Sequence, residues 1–325
     1  MGAMDHQLGV KKETTYGTPV PVDRFFEYDS EQIEEAEGRT EGDPLRVGSG
    51  FVRSDRFTPY FSGAAGTLEF AVMSKGFGFW LEHMLGAVAT GATADGKTTH
   101  TGTEGVLLDK SFTLQMNRPF HPAGTNQAFT YEGGKVAEWK LNNAVDGNLM
   151  CELGLDFENV STDTALATAS YPTAMENFTW AGGVITIGGA AYDITEWALE
   201  GNNGLDVDRR QIRGNTFKKE PTASRREATF SINADFESLT QRNRAHATTR
   251  AGALAAITGL WTCPTLIGGA TFPTLSITIP AGRFDAWKGA TEGTDAIEQE
   301  LSGVVRYDGT NSPITIAYGT ADATP

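Results

Sequence analysis

Five histidines are the residues of this chain best suited to acid–base or metal chemistry, and their spacing gives them neither. His6, His83, His100, His121 and His246 are scattered along the sequence. No two stand in an HExxH pattern or at another spacing that would gather imidazoles around one zinc ion. Cys151 and Cys263 form no CxxC pair and have no histidine at ligand spacing. They read as two reduced, partly buried thiols, with a bridge between them left open. The chain has no GxSxG elbow and no P-loop. Gly182-Gly183 and Gly188-Gly189 lack the strand-to-helix setting in which backbone amides cradle phosphate. Paired carboxylates such as Glu34-Glu35 could act as acid and base, but such pairs are common on solvated strands. The sequence therefore assigns no catalytic residue, no metal ligand and no cofactor.

Sugar binding is the other chemistry these residue types allow. Exposed, Trp139, Trp180, Trp197, Trp261 and Trp287 would be stacking platforms of a β-sandwich adhesin or carbohydrate-binding module. Buried, they pack, and Trp80, Trp139, Trp197 and Trp287 are the expected core anchors. Charge narrows the partners further. A net charge of −15 repels phosphate backbones and disfavours a polybasic membrane contact. No apolar run approaches the ~20 residues that span a bilayer, and no export signal opens the chain. His6 stands where a myristoylation motif wants Ser or Thr. The chain reads as made and kept in a cytoplasm.

The elements that would position these residues are mostly strands. Apolar residues make up 39% of the chain and charged residues 21%, enough for a packed core, and 38 glycines favour a turn-rich sheet protein. Strands are predicted at 24–37, 66–72, 111–117, 127–131, 136–142, 149–157, 192–201, 227–235, 253–261, 275–279, 283–288, 297–307 and 314–318, with a short one at 183–187. Phe77, Trp80, Leu81, Met84 and Leu85 recur at helical spacing, which predicts a helix over 76–88. A more polar helix is predicted over 236–250. Residues 1–23 read as an extended arm. Long basic loops are expected at 38–62 and 202–223, and a Gly/Thr loop at 91–105. Asp146-Gly147 is the strongest hairpin signal.

These elements recur in order. Gly134-Lys135-Val136-Ala137-Glu138-Trp139-Lys140 returns as Gly282-Arg283-Phe284-Asp285-Ala286-Trp287-Lys288. Tyr28-Asp29 and Tyr192-Asp193 each precede an acidic run, a basic loop, a strand and a helix. The expectation is a duplicated unit: a first domain at 24–160, a linker at 161–178 and a second domain at 179–325. Repeated units bury their faces against copies.

The run from Leu8 to Thr18 (LGVKKETTYGT) is followed by Val22-Asp23-Arg24-Phe25. Later come Lys75-Gly76-Phe77-Gly78-Phe79, His83-Met84-Leu85-Gly86, Gly201-Asn202-Asn203-Gly204-Leu205 and a terminal Tyr318-Gly319-Thr320-Ala321-Asp322-Ala323-Thr324-Pro325. In this order the chain resembles the major tail tube proteins of long-tailed, siphovirus-type phages of actinobacteria, nearly end to end. The resemblance implies a structural virion protein and a mainly β fold: two related antiparallel sandwich or barrel units, each with a flanking helix and a long loop. It implies rings of copies of the chain stacked into a tail tube, through which DNA passes without specific binding. Tape-measure, tail terminator and distal tail proteins are the implied partners. Three chains per ring are expected from two tube units; six chains, each with one tube unit and one decoration domain, are the alternative. Arg46, Phe51, Arg53, Arg56, Phe57, Arg209, Arg210, Arg213 and Phe217 are then candidates for contacts between subunits. Glu27, Asp29, Glu31, Glu196 and Glu200 are candidates for an acidic lumen. Which strand face lines that lumen is left open.

Overall fold

The computed structural model describes residues 6–42, 47, 48, 50–120, 125–290 and 297–325. The fold is mainly antiparallel β. In chain order come β1 (Leu8–Lys12), β2 (Arg24–Phe26), β3 (Ser30–Glu41), β4 (Phe57–Ala71), helix α1 (Gly78–Leu85), β5 (Gly86–Thr90), β6 (Thr98–Glu104), β7 (Phe112–Asn117), β8 (Ala128–Ala144), β9 (Met150–Phe157) and β10 (Asn159–Ser161). Then follow β11 (Gly183–Ile187), β12 (Ala190–Ala191), β13 (Glu196–Asn202), β14 (Glu227–Asp235), α2 (Thr240–Ala245), α3 (Arg250–Ala253), β15 (Leu254–Thr262), β16 (Thr274–Ala290), β17 (Glu298–Val305) and β18 (Thr315–Thr320).

One long sheet organises the molecule. Its strands run β3-β4-β9-β8 and then, without a break, β13-β14-β17-β16. Alternation is clearest in β14. In β14, Phe230, Ile232 and Ala234 are buried while Glu227, Thr229 and Asp235 face water, the pattern of a sheet with one face packed and one solvated. Two further layers cover the packed face. One is β2-β1-β7 with the front of β8 and β10. The other is β12-β11-β15 with the front of β16, continued through β18 to β6 and β5.

The two halves use the same device to pass between layers. β8 and β16 are both 17 residues long, and each begins in a covering layer and ends in the long sheet. A bulge bends β8 between Val136 and Glu138, and another bends β16 between Phe284 and Ala286. That offset equals the one from Trp139 to Trp287 (287 − 139 = 148). Bulges redirect a strand, so matched bulges turn matched strands through the same corner. Gly134 and Gly282 stand before each corner because a neighbour sits too close for a side chain: an added Cβ would meet Phe112 at 2.7 Å or Ile257 at 2.8 Å.

Several expectations change here. The predicted N-terminal arm contains β1, whose Leu8 and Val10 are fully buried between β2 and β7. Most of the first predicted loop belongs to the β3–β4 hairpin, since β3 runs to Glu41 and β4 starts at Phe57. The predicted helix over 76–88 ends at Leu85, where Gly86 takes φ 99° and β5 begins. The predicted Gly/Thr loop holds β6. The long second helix is two short ones, broken after Ala245.

Candidate functional site: the open face of the long sheet

The long sheet turns one polar face to solvent, and the strand register sets which residues share it. One row across the sheet reads Ser30, Glu69, Glu152, Lys140, Glu200 and Thr229. The row beside it brings Glu138 opposite Asn202, and Asn202 opposite Glu227. Glu34 lies at one end of the face, opposite Ala65. Glu196, Glu298 and Glu300 extend it through the second half, with Lys288 facing Glu300. Lys140 donates to Glu200 at 2.8 Å, and Lys288 to Glu300 at 2.9 Å. The Lys140 ammonium is held above its ordinary range by the Glu200 hydrogen bond, with Glu152 and Glu196 adding to it. Glu69 faces Glu152 directly, an arrangement that costs stability in a sheet. A local rule broken on a solvated face points to a role outside folding.

Among the lumen candidates, Glu196 and Glu200 lie on this face. Glu31 does not. It sits one residue out of phase with Ser30 and Gln32, half-buried under Arg118, whose Nη2 donates to Oε2 at 2.9 Å. That guanidinium in turn lies 5.0 Å from the Phe129 ring, in the covering layer. Glu27 and Asp29 are exposed but precede β3. Glu34 falls within the acidic run 27–37 expected near the lumen; reasoning from sequence missed Glu69, Glu138, Glu152, Glu227, Glu298 and Glu300. Phase relative to the buried tryptophans was the available signal, since Glu138 and Lys140 flank Trp139.

The loop candidates divide. Arg46 lies outside the described residues. On the first hairpin Phe51 is 89% exposed and Phe57 47%; Arg53 grips Asp55 through two bonds of 2.9 Å, and Arg56 approaches the same carboxylate at 3.8 Å. The loop from β13 to β14 instead folds back onto the first half of its own chain. Arg210 donates to the Ser62 carbonyl and hydroxyl at 2.6 Å. Arg209 donates to the Glu220 carbonyl at 3.1 Å, and Arg213 to the Lys218 carbonyl at 2.9 Å. Lys218 is buried and donates to Asp156 Oδ1 at 2.5 Å. Glu220 accepts from the buried Lys135 ammonium. Beside this dock, burial pushes the Glu158 carboxyl up to about 7, against the pull of Arg213; burial also pushes Asp156 up to about 6, against Lys218. Phe217 stays 40% exposed. So Arg210 ties this loop to the first half, Arg213 approaches Glu158 there at 3.9 Å, and Arg209 braces the loop from within.

The anchors and the titratable residues sit in the core. Trp80, Trp139 and Trp197 are buried, and Trp287 is partly so. Cys151 and Cys263 are buried free thiols. His83 is buried, packs its ring against those of Phe79 and Phe112, and reaches the Lys110 carbonyl at 3.3 Å; burial pushes it down to about 4. His100 bridges Thr90 and the Asp322 carbonyl at 3.0 Å each. Among the described residues no group of three or more His, Cys, Asp or Glu is placed to hold a metal ion, and no helix is long and apolar enough to cross a membrane.

A broad sheet with a solvated carboxylate face presents an extended surface. Residues 5–305 match the phage tail tube protein family, so the chain belongs to that family. It is a structural component of the virion and not an enzyme. No curated protein matches it.

Proposed function

We propose that the chain builds the tail tube from rings of three copies, stacked end to end, with the open face of the long sheet lining the bore. The observation that carries this is the continuous eight-stranded sheet with carboxylates on its one solvated face. Its two ends, β3 and the rear of β16, each pair on one side within the chain. Unpaired edges invite another strand, and ring closure removes them. Three such sheets (3 × 8) close 24 strands, roughly 37 Å across the backbone at ~4.8 Å per strand, well beyond the 16–18 strands that already leave a water-filled channel. Six chains would close 48, unless the sheet breaks at β8–β13.

The matched bulges and the shared order of strands support two related units in one chain. We take the units to run from 8 to 160 and from 179 to 325, which adds β1 to the expected first unit. Carboxylates lining the bore repel phosphates, and DNA then slides to the host without adhering. Stacking is open-ended where ring closure is not. Tape-measure, terminator and distal tail proteins bound the tube's length and ends. Electron micrographs of the purified chain test this: tubes with an axial bore are expected, and a persistent monomer at high concentration contradicts it.

A further inference from the structure

We infer that the rear of β16 pairs with β3 of a second copy of this chain in one fixed register, Lys288 opposite Glu34 and Gly289 opposite Ile33. The inference rests on the ring reading and specifies its joint. The chain contains a template for that joint. Where the halves meet, β8 pairs with β13, placing Lys140 opposite Glu200 and Leu141 opposite Leu199. Both strands have counterparts at the two ends of the sheet. Trp139 faces Leu153 as Trp287 faces Leu301, so Lys140 corresponds to Lys288 and Leu141 to Gly289. Glu31 faces Leu68, which faces Leu153; Trp197 faces Ile232, which faces Leu301. Stepping along from there, Ile33 corresponds to Leu199 and Glu34 to Glu200.

Chemistry at both edges agrees. Lys140 lies between Glu152 and Glu200; Lys288 has Glu300 on one side, and Glu34 fills the other in this register. Both acids are exposed. The outward backbone groups of Ile33 are occupied by side chains and not by β4: its N–H donates to Glu31 Oε2 at 3.0 Å, and its carbonyl accepts from Arg118 at 3.0 Å. These are the groups that pairing with Gly289 would use. The Glu31–Arg118 pair closes the edge of the lone chain and gives up Ile33 when a neighbour arrives.

The test uses the full chain carrying Glu34→Cys and Lys288→Cys. The two positions lie seven strand gaps apart within one chain, about 34 Å, too far for an internal disulfide. In the join they form a close, non-hydrogen-bonded pair. Cys151 and Cys263 are buried and do not compete. Oxidation of assembled protein is expected to give covalent multimers on non-reducing gels, ending at three linked chains. Glu34→Cys with Ala286→Cys, two residues out of register, is expected to link with less than about a tenth of that yield. Stronger linking by the shifted pair overturns the register while tubes persist in micrographs. Failure of the unmodified chain to form any tube overturns the ring reading, and this joint with it. Charge reversal checks the same pair without cysteines. Lys288→Glu alone should lower the assembled fraction several-fold at low salt, and adding Glu34→Lys should restore it; no restoration counts against the pairing.

Discussion

The two halves share a sheet plan but are covered differently. In the first, α1 buries Trp80, Leu81 and Met84 completely, and Trp80 packs against Phe26, Phe70 and Phe112 with ring centroids 5.5–5.9 Å apart. In the second, α2 buries only Gln241. Arg242 lies 5.9 Å from the half-exposed Trp287 ring, and Gln241 Oε1 is buried without a hydrogen bond. The first half also lends its β5–β6 hairpin to the covering layer of the second, through β18. The second half has only α2 and α3 where that hairpin would stand. Both halves contribute to the core, but the first covers it with a fully packed helix, while the second borrows part of its cover from the first.

Breaking the stronger half should cost most. Trp80→Ala is expected to destabilise by about 3–5 kcal/mol, and Trp287→Ala by roughly 1–2 kcal/mol, in urea titrations of the unassembled chain. Equal losses would erase the contrast.

The dock between the halves comes next. Lys218→Met leaves the Asp156 carboxylate buried and unpaired, at about 3 kcal/mol or more. Lys218→Met with Asp156→Leu should recover most of that loss. A double-mutant cycle measures the coupling, and additive losses would mean that the loop is not held by this pair.

Much of this was legible in the sequence where a constraint was local. Trp139-Lys140 and Trp287-Lys288 each follow a bulge at which a 17-residue strand turns a corner. The strand 227–235 showed itself by alternation alone. What was missed depends on pairing over long distances. Leu8 and Val10 look like an arm until β7 arrives beside them from about a hundred residues later. Thr98 to Glu104 alternates, but threonine and glycine blur strand and loop. Glu31 and Glu34 look alike in sequence; only register puts one under Arg118 and the other on the open face.

A subtler expectation concerns pH. Burial holds Glu158 near 7 and Asp156 near 6, both above their ordinary values, against the pull of Arg213 and Lys218. The folded chain therefore binds protons that the unfolded chain has released. This contribution is fully present below about pH 4 and is lost progressively as pH rises through about 7. His83, pushed down to about 4, acts the other way below about 6.5. The clean readout is the melting-temperature difference between the unmodified chain and Glu158→Gln. That difference should shift against the unmodified chain from pH 5 to pH 8; a pH-independent difference contradicts the assignment.

The smallest effect is kinetic. Glu31→Gln loosens the closed edge of β3, so tube growth followed by light scattering should start up to several-fold sooner. An unchanged lag would mean that this pair does not guard the edge.

Counting chains around one turn of the tube is the most direct examination of all this. End-on averages of assembled tubes should contain three chains, seen as six lobes of two alternating kinds around an acid-lined bore. Six identical whole chains, or a bore faced by the covering layers, would contradict the account.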